Sequence, residues 1–221
     1  MPATPFDRPL LSIGDRLDEL RHFIAHLDSP GRHPRGAELT RTSRAWAYVA
    51  MASALESFVR DFVDELTFHI NAANVPIADL KLGVVSLVEA GRFESAAATL
   101  RQDRWDRRAA ILKGVLSPSV AALPAGARPL DGRTIKELHF DSLWAIYELP
   151  GSPLPSPLHA FALQDLSGGR NQVAHGDVDP VAFGRAKPYQ DVVRRLGQVE
   201  DIAIHVASAG AAYIGSHGFR R

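Results

Sequence analysis

From Ile13 the apolar residues fall at Leu17, Leu20, Phe23, Ile24 and Leu27, one stripe on a helical repeat. Ser12 followed by Asp15 reads as an acidic form of the capping box, so a helix is expected from there to the turn at Ser29-Pro30-Gly31. After a loop over 31–38, the strongest pattern covers 40–70. Tyr48, Met51, Ala52, Leu55, Phe58, Val59, Phe62 and Leu66 form one face; Ser53, Glu56, Ser57, Arg60, Asp61 and Asp64 form the other. No glycine or proline interrupts it, so pattern and propensity agree. Pro76 is placed to start a shorter helix over 77–90 that Gly91 ends, and another helix is expected over 94–116. Residues 117–134, rich in Pro, Ala and Gly and holding Asp131-Gly132, read as a loop. The apolar segment 138–149 is ambiguous by itself. Helix is favoured because no second strand pattern exists to pair with it. Past the prolines at 150, 153, 155 and 157 the pattern predicts a helix over 158–175, a loop over 176–187 and a long helix over 189–214. The fold class is all-α, a helical bundle of roughly six or seven helices.

Composition narrows this further. The chain has 221 residues, 46% hydrophobic and 23% charged, which excludes wholesale disorder and suits one domain over 1–221. Its core is expected over 13–214, with 215–221 frayed. Lys and Arg number 25, as do Asp and Glu, so a protein coating nucleic acid through a general basic excess is excluded; any contact with RNA or DNA must be local. Cysteine is absent, which excludes disulfide frameworks and thiolate zinc sites. The N-terminus lacks the pattern of a secretory signal, and the longest nearly apolar stretch, 45–55, is too short to span a bilayer. A soluble cytoplasmic protein without membrane contact is the expectation.

The segment 163–177, LQDLSGGRNQVAHGD, concentrates the chemistry. Leu163, Leu166 and Val173 form a narrow helical seam, and Arg170 sits on it, where a guanidinium is costly unless paired or used. Asn171 and His175 lie four apart and share a face. Gly176 follows as a helix stop, so His175 occupies the last turn, where the helix dipole favours imidazolium. Gly168-Gly169 precede Arg170. Two glycines cost about 2 kcal/mol in a helix interior, so a break with a restart at Ser167 as N-cap is expected, placing Arg170 at a helix N-terminus.

Arg170-Asn171-Gln172-Val173-Ala174-His175, with Gly176 after it, resembles the R-x(4–6)-H motif of the HEPN superfamily. The stretch 44–66, with Leu55-Glu56-Ser57-Phe58, is similar to the early helix of bacterial stand-alone HEPN proteins, including the RiboL-PSP branch. The specific part of the likeness covers about 30 residues. It implies a HEPN-like bundle and a metal-independent endoribonuclease acting as a homodimer, without cofactor. Arg170, Asn171, His175 and Glu56 would be the site residues, RNA the substrate, and a toxin or anti-phage defence role the setting, with an antitoxin or neighbouring-gene product as a further partner. His175 would move the proton of the 2′-OH or of the 5′-oxygen, Arg170 would hold the phosphate, and Asn171 would orient either. A catalytically silent HEPN domain that binds nucleotides or RNA, or merely dimerises, is the alternative.

The residues also admit plainer readings. Arg170 and His175 suit a structural ion pair and a helix cap. Glu56 suits an exposed pair with Arg60, worth only about 0.3–0.5 kcal/mol; a role in orienting Arg170 or His175 follows from the resemblance alone. Arg101, Arg104 and Arg108 share a face that could guide an RNA strand, but Asp103 and Asp106 dilute it toward an ordinary solvated face. His22 and His26 have ligand spacing without the context of a metal site, so no metal is expected. Trp46, Trp105 and Trp144 read as core.

Overall fold

The computed structural model describes residues 4–28, 36–98, 103–132 and 134–221. Among them are nine α-helices and no strand, more helices than the six or seven expected. Helix α1 spans Asp7–Asp28, α2 Gly36–Ala72, α3 Leu82–Val88, α4 Ala90–Ala98, α5 Arg104–Val115, α6 Glu137–Tyr147, α7 Pro157–Ala174, α8 Pro180–Arg185 and α9 Tyr189–Gly215.

The long α2 is the axis. Its apolar face carries Tyr48, Met51, Leu55, Phe58, Val59, Phe62 and Leu66, all buried. Helices α1, α7, α8 and α9 pack around it. The stripe of α9, Val192, Leu196, Val199, Ala203 and Val206, closes the core from the other side. One contiguous apolar cluster joins these helices to α3, α6 and the loop residues Ala121, Leu123 and Ile135.

The extra helices come from short-range chemistry. Asp179 accepts from the Ala182 N–H at 2.9 Å and Pro180 stands at the first helical position, so α8 forms inside the expected loop. The segment after Pro76 is a 3-10 turn, Ile77–Asp79, and then α3, which stops at Val88 with Glu89 as its cap; Gly91 lies inside α4 rather than ending a helix. The helix expected over 94–116 is two, α4 and α5, and Arg101 lies outside the described residues. At the other end α1 begins at Asp7, held by the Thr4 N–H donating to Asp7 Oδ2 at 2.7 Å, so Ser12 is a mid-helix residue and not a cap.

The tail is docked rather than frayed. Phe219 is buried, its carbonyl accepts from the Lys81 N–H at 2.9 Å, and the Arg221 N–H donates to the Asp79 carbonyl at 2.9 Å. Two tryptophans also depart from the core expectation: Trp46 and Trp105 are exposed, and only Trp144 is buried. No group of three or more His, Asp or Glu side chains with metal-binding geometry occurs among the described residues, and His22 and His26 are both on the surface. No helix there is long and apolar enough to cross a membrane.

Candidate functional site

Helix α7 carries the motif and is unbroken from Pro157 to Ala174, so the expected restart at Ser167 does not occur. The glycine pair explains itself on packing grounds. A Cβ on Gly169 would stand 2.6 Å from Tyr48 Cδ1 and 2.8 Å from Phe183 Cζ. Glycine there lets α7 approach α2 and α8 closely, and that packing outweighs the helix-propensity cost. Gly168 meets nothing within 4 Å and faces open space.

A carboxylate then ties the helix down. Asp165 accepts from Lys187 Nζ at 2.6 Å, Arg195 Nη2 at 2.6 Å and the Tyr48 hydroxyl at 2.9 Å. Desolvation alone would raise the Asp165 pKa. The bonds from Lys187 and Tyr48, with the charges of Arg195 and Lys187, outweigh it and hold the carboxyl below its ordinary value. The same burial and the facing carboxylate push the Tyr48 phenol up, so it remains a donor. Lys187 also lies over the Tyr48 and Phe183 rings, 5.2 and 5.6 Å from their centroids. The resemblance gives no hint of this cluster, and its only sequence signal is an acidic residue on an otherwise apolar-faced helix.

Arg170 lies half-buried on the same side of α7 as Leu163, Leu166 and Val173, as the seam predicts. Its Nη1 donates to Asn171 Oδ1 at 3.1 Å, and the Thr134 hydroxyl reaches the same oxygen at 3.4 Å. Two donors on one oxygen fix the amide orientation and leave Asn171 Nδ2 as a donor. Thr134 arrives on the 117–134 loop, which is fastened along α2 by Asn71, whose Oδ1 accepts from the Leu123 N–H at 2.8 Å, and by Asp64, which takes Arg128 Nη2 at 2.7 Å.

His175 caps α7 with its backbone N–H on the Asn171 carbonyl at 3.0 Å, and Gly176 follows at φ +75°, the left-handed stop that glycine allows. The imidazole is exposed. Five helical residues turn the chain by about 140°, so Arg170 and His175 face different sides of α7. No hydrogen bond or ion pair joins Arg170, His175 and Glu56 to one another among the described residues. Glu56 is half-buried on α2, and the expected pair with Arg60 does not form within 4 Å.

Beside α7 runs a cleft of about 1100 Å³. Asn171, Gln164 and Gly168 of α7 form one wall, Lys136 and Asp141 the end near α6, and the 150–157 proline loop the far side. Of the four residues singled out by sequence, Asn171 alone lines it. A smaller depression of about 480 Å³ lies across Gln164 and Gly168, against Asp165, Phe183 and Lys187. The outward edge of α7 is therefore a ridge of Phe161, Gln164, Gly168, Gln172 and His175 between two hollows. No protein-family model matches the chain, and no curated protein or solved structure matches it either.

Proposed function

We propose that the chain is a HEPN-type, metal-independent endoribonuclease whose site is completed by a second copy across a two-fold axis. The observation that carries this reading is the unbroken α7, which presents Arg170, Asn171 and His175 on one rigid element beside an open cleft. Within one chain Arg170 and His175 diverge, so one copy does not direct both at the same phosphorus. A two-fold pairing of α7 along the side that carries His175 and Asn171, whose Oδ1 the Arg170 guanidinium reaches, supplies the second direction. In that arrangement an imidazole at the helix end takes the 2′-OH proton or gives one to the 5′-oxygen. The guanidinium stabilises charge on the pentacoordinate phosphorus, and Asn171 orients it. The products are a 2′,3′-cyclic phosphate and a 5′-OH end, and DNA, which lacks the attacking hydroxyl, is spared. A toxin or defence role with a partner antitoxin rests on the resemblance alone.

The second reading is a silent module that binds RNA or dimerises. It is favoured by the use of Arg170 within its own chain, through Asn171 Oδ1.

Incubation with RNA in the presence of EDTA separates the two. The nuclease reading expects cleavage that survives chelation and falls about 100-fold in Arg170→Ala and in His175→Ala, the scale of general acid–base and charge-stabilising groups. Absence of cleavage by the folded wild-type dimer, or full activity in either variant, would falsify it. Light scattering should give twice the 24.0 kDa chain mass. Refolding the two variants together should restore part of the activity, because a mixed dimer then holds one intact Arg170 and one intact His175 on opposite chains. Mixed dimers without recovery would rule out catalysis shared in that way.

A further inference from the structure

Helices α4 and α5 stand apart from the core as a helical hairpin. Each buries one apolar side chain, Ala96 in α4 and Ile111 in α5. Between them lies a groove of about 620 Å³. Its floor is Ala96, Ile111 and Val115, with Phe93 and Leu112 on its walls. Around it the large apolar side chains face outward: Trp105 is 71% exposed, Leu112 70%, Leu116 71% and Phe93 49%. Apolar surface of this extent, clustered on one element, is the mark of a contact surface.

The charged lining is of one sign. Arg104 and Arg108 line the groove, and no carboxylate among the described residues does. Arg108 is held with its guanidinium 5.0 Å from the Trp105 ring centroid. On α5 the positions 104, 108, 111 and 115 fall on one narrow stripe, within about 60°. The stripe is therefore cationic toward its N-terminal half and aliphatic toward its C-terminal half. Twelve residues of α5 give it a length of about 18 Å, three turns of a bound helix.

We infer that the α4–α5 groove is a docking site for an amphipathic helix of another protein, one that presents an apolar stripe and carries carboxylates toward one end of it. The concave floor takes apolar anchors spaced as on one helix face, and Arg104 and Arg108 meet the carboxylates. The hairpin lies outside the α7 site, so this inference does not depend on the ribonuclease reading.

The test is selection of a displayed library of 16-residue helical peptides against the purified chain, followed by affinity measurement of the enriched peptides. Leu112→Asp and Arg108→Glu serve as comparison proteins, both with circular dichroism unchanged because both side chains are on the surface. The expected result is enrichment of peptides with apolar residues at i, i+3 or i+4, and i+7, and with Asp or Glu toward one end. Their affinity should fall at least tenfold in each variant. Failure to enrich any such peptide, equal affinity in wild type and variants, or preference for basic peptides would overturn the proposal. So would binding of phosphatidylserine vesicles that the same substitutions abolish, which would make the hairpin a membrane contact. A drop in oligomer mass in either variant would make a second copy of the chain the occupant instead.

Discussion

Helix α7 and the α4–α5 hairpin are both short helical elements rich in small residues, yet they are held in opposite ways. Helix α7 buries six residues, tucks Gly169 between two rings and is tied through Asp165 to three other elements. The hairpin buries one side chain per helix and turns its large apolar residues outward. The first arrangement fixes where side chains point, as a reacting group requires. The second costs the fold little if it is altered and leaves a surface for something else to cover. The difference teaches that positional precision here comes from packing and ionic anchoring around a helix, not from the helix itself.

The comparison can be broken most severely at Asp165. Asp165→Ala leaves Lys187, Arg195 and Tyr48 facing one another without their acceptor. Unfolding in urea should show a loss of about 3 kcal/mol, while Arg108→Ala on the hairpin should change stability by no more than about 0.5 kcal/mol. Equal effects at the two places would remove the distinction. The Asp165 contribution should also depend on pH in a defined direction. Its folded pKa is lowered from the ordinary 3.8, so its contribution is present above that value and is lost as pH falls through the folded pKa. Stability compared at neutral pH and below pH 4 should show an acid-sensitive component in the wild type that Asp165→Asn lacks.

Gly169→Ala comes next. Its methyl must displace Tyr48 and Phe183, and overpacking of this kind costs about 1–3 kcal/mol, read as a lower denaturant midpoint with the slope unchanged. A smaller effect, of opposite sign, belongs to its neighbour. Gly168→Ala meets open space, so better helix propensity should stabilise the monomer by about 1 kcal/mol, raising Tm by about 2–4 °C. Adjacent glycines with opposite signs would show that tertiary contact, not local propensity, governs α7.

That pair also marks where reading the sequence stops. The long helices were legible because periodicity and propensity agreed over many turns: 40–70 against Gly36–Ala72, 189–214 against Tyr189–Gly215, 158–175 against Pro157–Ala174. The break expected at Gly168-Gly169 was wrong because its cost is local, whereas the compensating rings come from other helices, Tyr48 of α2 and Phe183 of α8. Helix α8 was legible in principle from Asp179-Pro180 but is too short for a period to show. The docked tail carries no periodic signal at all; Phe219 finds its place against Tyr213 and Lys81. At the candidate site, Arg170, Asn171 and His175 could be picked out because a linear motif holds them together. The Asp165 cluster could not, since its hydroxyl donor lies 117 positions away and one of its cations 30.

The three tryptophans, of which Trp144 lies in the core as the sequence predicts and Trp46 and Trp105 do not, give the molecule a built-in optical assay. Trp144 packs in the core, its Nε1 3.3 Å from the Pro150 carbonyl and its ring stacked on His205. Trp105 stands on the hairpin, and Trp46 on the surface of α2. With Trp46 and Trp144 replaced by phenylalanine, emission comes from Trp105 alone, so a ligand that covers the hairpin shifts it to the blue and shields it from iodide. With Trp46 and Trp105 replaced, emission follows Trp144 and reports the opening of the core. One chain thus supplies separate fluorophores for the part that is anchored and the part that is presented.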